Sequence, residues 1–371
     1  GDVYKRQSAQ GVGNPLLLAP VRHLQGRRII HISTGLDHCA AVAEGGALWT
    51  WGDNSMGQCT GSGDHLPHPT AIQWAEESDP VKIRYVACGF THTVALGDED
   101  VLVFGSNSFG ELGLGQPGVG RRLPAIVPRI KSDMDVSSVL QCAAGNGFTL
   151  LLLNEYNNKD VFDEDPSNRV LAMGRNDHGQ LGLPHEEHVH VPTEAFQGIP
   201  VEAVSCGEHY SVVLDANGGV FACGRGLNLP GRGVSELTVG VGALRALRVH
   251  RISASWDQLS ALDEDGSVHL VDGQGKHTDL GRADFGIGEL GQGCCARHVV
   301  GIHGDSTKPT FEAEMNATDM SSMHPAVLML RATHDPPGVF PRDAVLEKLF
   351  GELTIEAVSY THLTLPTSSV V

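Results

Sequence analysis

The densest run of ligand-type side chains is Pro184-His185-Glu186-Glu187-His188-Val189-His190. Three imidazoles this close make a zinc-type donor set if a loop or strand folds them onto one point. The plainer account is a polar loop between two structural units, because the remainder of the 19 histidines are scattered. A second chemical candidate is the acidic stretch holding Asp160, Asp163, Glu164 and Asp165. It lacks the Asp-x-Asp-x-Asp-Gly order of a calcium loop. It reads first as a solvated loop and second as a contact loop, since long insertions on rigid scaffolds often carry partner contacts. There is no Gly-x-x-x-x-Gly-Lys-Ser/Thr phosphate loop and no Gly-x-Ser-x-Gly nucleophile elbow. No catalytic constellation emerges, and neither a cofactor nor a resident metal is expected.

The elements that must position these residues belong to a repeat. Gly35-Leu-Asp-His38-Cys-Ala-Ala41-Val42 returns as Gly89-Phe-Thr-His92-Thr-Val-Ala95-Leu96, then as Gly145-Asn-Gly-Phe148-Thr-Leu-Leu151-Leu152. It returns again as Gly207-Glu-His-Tyr210-Ser-Val-Val213-Leu214, and in decayed form as Ser255-Trp-Asp-Gln258-Leu-Ser-Ala261-Leu262. A second landmark follows in each copy: Trp51-Gly52, Phe104-Gly105, Met173-Gly174 and Cys223-Gly224. A third comes after it, with Asn54 and Gly57, Asn107 and Gly110, and Asn176 and Gly179. Gly288 to Gly293 resembles the end of that third element in the fifth copy.

These recurring residues read as backbone devices. Glycine reaches positive φ and allows close approach of the chain. Asparagine caps turns through its own amide. His38 and His92 share a register with Phe148, Tyr210 and Gln258, so that position packs or hydrogen-bonds and does not ligate metal or move protons. Short apolar runs such as Thr93-Val-Ala-Leu96 and Ala47-Leu-Trp-Thr-Trp51 flank acidic or Gly-rich turns. Asn-Gly and Gly-Gly between apolar runs are hairpin signals. A long fixed period of short strands predicts an all-β fold of small antiparallel sheets arranged radially.

The combination Gly-x-x-His-x-x-Ala-Leu, then Trp-Gly-x-Asn-x-x-Gly-Gln-Leu-Gly, resembles the repeat of the regulator of chromosome condensation family. Gly89 to Gly115 is nearly a consensus copy, and Gly174 to Gly182 a good partial one. The resemblance implies a β-propeller of four-stranded antiparallel blades, seven by the family norm, of which about five are recognisable in this sequence. It implies a binding platform. Founding members exchange guanine nucleotide on a Ran-type small GTPase and dock on chromatin. Relatives serve as interaction domains in ubiquitin ligases, kinases, ciliary scaffolds and a plant ultraviolet-B receptor. The expected partner is therefore a protein, with a small GTPase as the specific candidate and a scaffold role in a larger protein as the alternative. A photoreceptor role is not expected, because only Trp49, Trp51, Trp74 and Trp256 are available.

Composition narrows the partner further. The net charge is −18, which argues against a naked nucleic-acid surface, since phosphate contact needs clustered Lys and Arg. An acidic surface steers toward basic partners instead. The eight cysteines show no Cys-x-x-Cys pair and no disulfide framework, so reduced thiols in a cytoplasmic or nuclear protein are expected. No run of eighteen apolar residues suggests a membrane span. Residues 1–7 and 358–371 resemble translated read-through of sequencing adapters and are set aside. The expected organisation is propeller repeats over 8–293 and a degenerate blade or insertion over 294–357. Five repeats would leave a seven-bladed ring open, so a fragment of a longer protein is expected in preference to a smaller closed ring.

Overall fold

The computed structural model describes residues 21–72, 81–98, 100–127, 139–154, 168–229, 235–236, 244, 247–282, 287–290, 299–303, 311–315 and 327–332. The first blade comprises β1 (Ile29–Thr34), β2 (His38–Ala43), β3 (Leu48–Asp53) and β4 (His65–Ala71), hydrogen-bonded in that order. The second comprises β5 (Ile83–Cys88), β6 (His92–Gly97), β7 (Val101–Asn107) and β8 (Gly118–Ile126). The third comprises β9 (Val139–Ala144), β10 (Phe148–Leu153), β11 (Arg169–Gly174) and β12 (Val189–Ala195). The fourth comprises β13 (Val201–Cys206), β14 (Tyr210–Asp215), β15 (Val220–Gly224) and the short β16 (Ser235–Glu236). The fifth comprises β17 (Val249–Ser255), β18 (Gln258–Asp263), β19 (Ser267–Val271) and β20 (His277–Arg282).

These five antiparallel sheets stand in a ring, as a five-bladed β-propeller. Helix is limited, among the described residues, to the single 3-10 turn Arg22–Leu24. None is long and apolar enough to cross a membrane.

The core lies between blades, which explains the sequence pattern. The second strand of each of the first four blades is buried along its whole length, because it is covered on both faces. Such a strand reads as a continuous apolar run and not as an alternation. Val94, Leu96 and Val103 of the second blade pack on Val139, Leu151 and Leu171 of the third. The same arrangement joins the third blade to the fourth and the fourth to the fifth. Each fully buried Leu or Val contributes about 1.5–3 kcal/mol, and each interface collects several. A bulge recurs near the start of the first strand in every blade, at Ile29/His31, Ile83/Tyr85, Val201/Ala203 and Val249/Arg251, and opposite Leu152/Leu153. A bulge at a fixed place increases local twist, so every blade leaves the axis with the same pitch.

A sixth sheet follows, with β21 (Ile287–Leu290), β22 (Val299–His303), β23 (Phe311–Met315) and β24 (Val327–Ala332) in the order β21-β22-β24-β23. β21 lies against β17 and β18 as the first strand of a further blade would. The sheet departs from the blade pattern because β22 and β24 run parallel. Gly288 to Leu290 therefore belongs to β21 and does not close the fifth copy's third element as its sequence suggests. The four-residue similarity carries no turn geometry of its own, and strand pairing with β22 takes it instead. Residues 1–7, 358–371 and the acidic stretch Asp160–Asp165 lie outside the described residues.

Candidate interaction face

The repeat motif is a latch between neighbouring blades. A Cβ on Gly35 would lie 2.3 Å from Cε1 of His38, and one on Gly89 2.3 Å from Cε1 of His92. The equivalent distances are 2.2 Å for Gly145 and Phe148 and 2.1 Å for Gly207 and Tyr210. Only glycine lets the ring three residues on fold back over its own turn. The ring then reaches the next blade. His38 Nε2 sits 2.9 Å from Thr93 Oγ1, and His92 Nε2 2.9 Å from Thr149 Oγ1. Each threonine donates its one hydroxyl proton backwards, Thr93 to the Gln58 carbonyl at 2.8 Å and Thr149 to the Glu111 carbonyl at 2.9 Å. Both histidines must therefore donate through Nε2. Burial holds His92 below the ordinary imidazole range, against a smaller opposing pull from Glu111.

Tyr210 serves the same place with different chemistry. Its hydroxyl lies 2.8 Å from the Ser255 carbonyl and 2.6 Å from that of Gln258. Phe148 has no polar atom and fills the site between the third and fourth blades. Further links run from β1, β9 and β13 to the next blade: Ser33 Oγ accepts the Cys88 amide, Gln141 Oε1 that of Val204, and Ser205 Oγ that of Ala254.

The second and third landmarks shape the loop after the third strand. Gly52, Gly105, Gly174 and Gly224 adopt φ values of 104–107°, a conformation side chains rarely take. Asn54, Asn107 and Asn176 are buried and bridge their loops. Their Oδ1 atoms accept the amides of Cys59, Leu112 and Leu181, and their Nδ2 atoms donate to the carbonyls of Gly63, Gln116 and His185. Gly57, Gly110 and Gly179 close the same turns, their amides donating to the asparagine carbonyls.

The histidine-rich run is absorbed into this scaffold. The His185 carbonyl holds Asn176, His188 Nδ1 accepts the Asn176 backbone amide at 3.1 Å, and His190 packs across Gly110. Among the described residues, no three His, Cys, Asp or Glu side chains converge as metal ligands. Trp49 and Trp51 pack at the edge of the first blade's core, with the Arg27 guanidinium 4.4 Å above the Trp49 ring.

Strands alternate direction and the blades are alike, so every Gly-x-x-ring turn and every third-strand loop opens on one face. Around the axis of that face run the residues just after each anchor glycine. The Phe90 amide donates to the Gly145 carbonyl, Asn146 to Glu208, and Glu208 to Trp256, at 2.9–3.1 Å. Leu36, Phe90 and Trp256 pack together, with the two aromatic rings 5.6 Å apart.

Half-buried charges lie next to this plug. Arg175 grips Asp177 through three hydrogen bonds of 2.7–3.0 Å and lies 4.9 Å over the Phe109 ring. Desolvation raises Asp177, but the Arg175 hydrogen bonds win and hold it below its ordinary range. His178 meets His209 edge-on at 5.3 Å, and His209 Nε2 is 3.3 Å from Glu208 Oε1. Desolvation, with help from Arg175 and His178, pushes His209 down to about 4. None of these residues stands out in the sequence. They occupy the variable positions between the landmarks, and the one available signal is that those positions project from the most rigid turns of the chain.

Family models for the regulator of chromosome condensation (RCC1) repeat match residues 45–96, 98–152 and 167–214, and a second such model matches 29–58. Residues 29–214 carry regulator of chromosome condensation repeats. Each of the first three matches runs from the third strand of one blade to the second strand of the next. One RCC1 repeat therefore spans a blade junction and contains a complete Gly-x-x-ring turn, with histidine, phenylalanine or tyrosine as its ring. The chain is 28% identical over 305 residues to the mouse (Mus musculus) E3 ubiquitin-protein ligase HERC2, covering 78% of this chain and 6% of the ligase. It is 26% identical over 265 residues to the ultraviolet-B receptor UVR8 of Arabidopsis thaliana, covering 70% of this chain and 56% of the receptor. The chain thus spans a small part of the first relative and just over half of the second. Among solved folds, human WBSCR16 superposes with a TM-score of 0.57 at 17% identity, covering 69% of this chain and 67% of that one. Prp20p of Saccharomyces cerevisiae, whose structure was described with its binding to Gsp1p and histones, gives 0.54 at 17% identity, covering 72% and 67%.

Proposed function

We propose that this RCC1-repeat propeller is a protein-interaction platform of the cytoplasm or nucleus, that it docks its partner on the face bearing the Gly-x-x-ring turns, and that the partner is a small GTPase whose nucleotide release it accelerates. The observation that carries the docking reading is the polar cluster from the third and fourth blades beside the axial plug, the part-buried Arg175, His178, Glu208 and His209 with the exposed Asp177. A ring held by its own apolar interfaces and latches has no structural need for them, and desolvated charge is expensive to keep without use. An exchange factor acts by gripping its GTPase and weakening the nucleotide site, so it needs no phosphate loop of its own. The acidic residues Asp160, Asp163, Glu164 and Asp165 are proposed as an additional contact loop. The test is release of a fluorescent GDP analogue from a panel of small GTPases with the folded chain at micromolar concentration. Acceleration of one member, lost in Arg175→Ala, supports exchange. No acceleration of any member rejects it.

A second reading is supported by the coverage of the relatives. The chain matches a small part of a large ubiquitin ligase, as an interaction module inside a multidomain protein would. This reading keeps the docking face and drops nucleotide exchange. Capture of a partner without faster GDP release favours it.

A further inference from the structure

The ten variable positions of the five axial turns are Leu36-Asp37, Phe90-Thr91, Asn146-Gly147, Glu208-His209 and Trp256-Asp257. They hold three carboxylates and no Lys or Arg. Leu36 and Trp256 are partly exposed over the buried Phe90 ring. Asp37 and Asp257 are exposed beside them, and Glu208 is half-buried. The patch is thus apolar and aromatic at its centre and acidic at its rim, the usual anatomy of a recognition site.

We propose that this axial patch receives a lysine or arginine side chain from a basic segment of a protein partner. The aliphatic stem lies on Leu36, and the cationic head meets the Trp256 ring between Glu208 and Asp257. The stem and head of such a side chain suit an apolar floor with a charged rim. A cation over a Trp face is attracted by the negative face of the ring, the more so when desolvated. Glu208 carries an independent sign of the same complementarity. Its carboxyl is raised above the ordinary range by burial and by Asp257, despite the Asn146 hydrogen bond and the pull of Arg175 and Arg225. A cation placed between the two acids replaces their repulsion with attraction. The chain's charge of −18 steers a basic segment toward it. This inference rests on the reading that the turn face docks a partner, and it adds the partner's chemistry.

The experiment measures fluorescence anisotropy of a labelled Lys/Gly decapeptide, and of its Glu/Gly counterpart, with the full chain at about 0.15 M salt. The Lys/Gly peptide is expected to bind and to shift tryptophan emission, a shift that Trp256→Phe removes. Glu208→Gln with Asp257→Asn should weaken it by about tenfold. Glu264→Gln with Asp265→Asn, the same charge change at the opposite end of the fifth blade, should weaken it less than about twofold. Equal weakening by both pairs, or equal binding of the Glu/Gly peptide, overturns the proposal. Near-ultraviolet circular dichroism checks folding, and the exposed single change Asp257→Asn serves if the pair fails to fold. Selective peptide binding without accelerated GDP release rejects the exchange reading and leaves this one standing.

Discussion

Replacing His92 by Phe exchanges one natural solution of the repeat for another, since the third blade carries Phe148 at that register. Room for the ring exists, because Gly89 stands under His92 as Gly145 stands under Phe148. The exchange removes the Nε2–H donated to Thr149, while Thr149 keeps its bond to the Glu111 carbonyl. A net intramolecular hydrogen bond contributes about 1 kcal/mol. The fourth blade places the smaller Ser211 where the third places Thr149, so the bulkier Phe ring meets one extra methyl, at a further 1–2 kcal/mol or so. At pH 7.5 the variant should lose about 2–3 kcal/mol in all, and His92→Phe with Thr149→Ser should lose less than the single change.

The pH dependence has a definite sign. Burial depresses the folded-state affinity of His92 for protons. The unfolded chain therefore binds more protons as pH falls, and the wild-type contribution is full above about 6.5 and declines below it toward the folded value. Phe cannot titrate, so the gap between variant and wild type should narrow from pH 7.5 to 5.5. The assay is thermal or urea unfolding by circular dichroism at the two pH values. A variant as stable as wild type at pH 7.5, or a gap that widens in acid, would refute the latch as described.

Other expectations follow from the same structure. Gly89→Ala drives a Cβ into the His92 ring and should cost about 1–3 kcal/mol in chemical denaturation. Asn107→Ala leaves the buried Leu112 amide and Gln116 carbonyl without their bridge, a loss of about 1–3 kcal/mol measurable by urea unfolding. Cys39 and Cys223, buried and pushed up to about 12 by burial, should resist thiol reagents at pH 8 until unfolded, as read by peptide mass spectrometry. His31, lowered by burial to about 4, should contribute about 2 kcal/mol to the stability lost between pH 7 and pH 5, a share that His31→Gln removes.

Much of this architecture is legible in the order of residues. The spacing of Gly35, Gly89, Gly145 and Gly207 gives the blades, and the apolar runs give their strands, because both signals depend on chain-local geometry. The exchange of His for Phe and Tyr at one register signals packing and hydrogen bonding, which the latch then displays. The candidate face is another matter. Leu36 and Phe90 come from neighbouring blades but Trp256 from the fifth, and only the curvature of the ring brings it back to them on the axis. The grip of Arg175 on Asp177 beside His209 likewise needs two blades side by side. The sixth sheet's parallel pair could not be foreseen from residues 299–332, since strand order is chosen by which edges remain open after the preceding blades have formed. Local chemistry determined the module and its turns. Arrangement around a common axis decided which variable side chains share a surface, because that depends on the pitch between blades and on no single repeat.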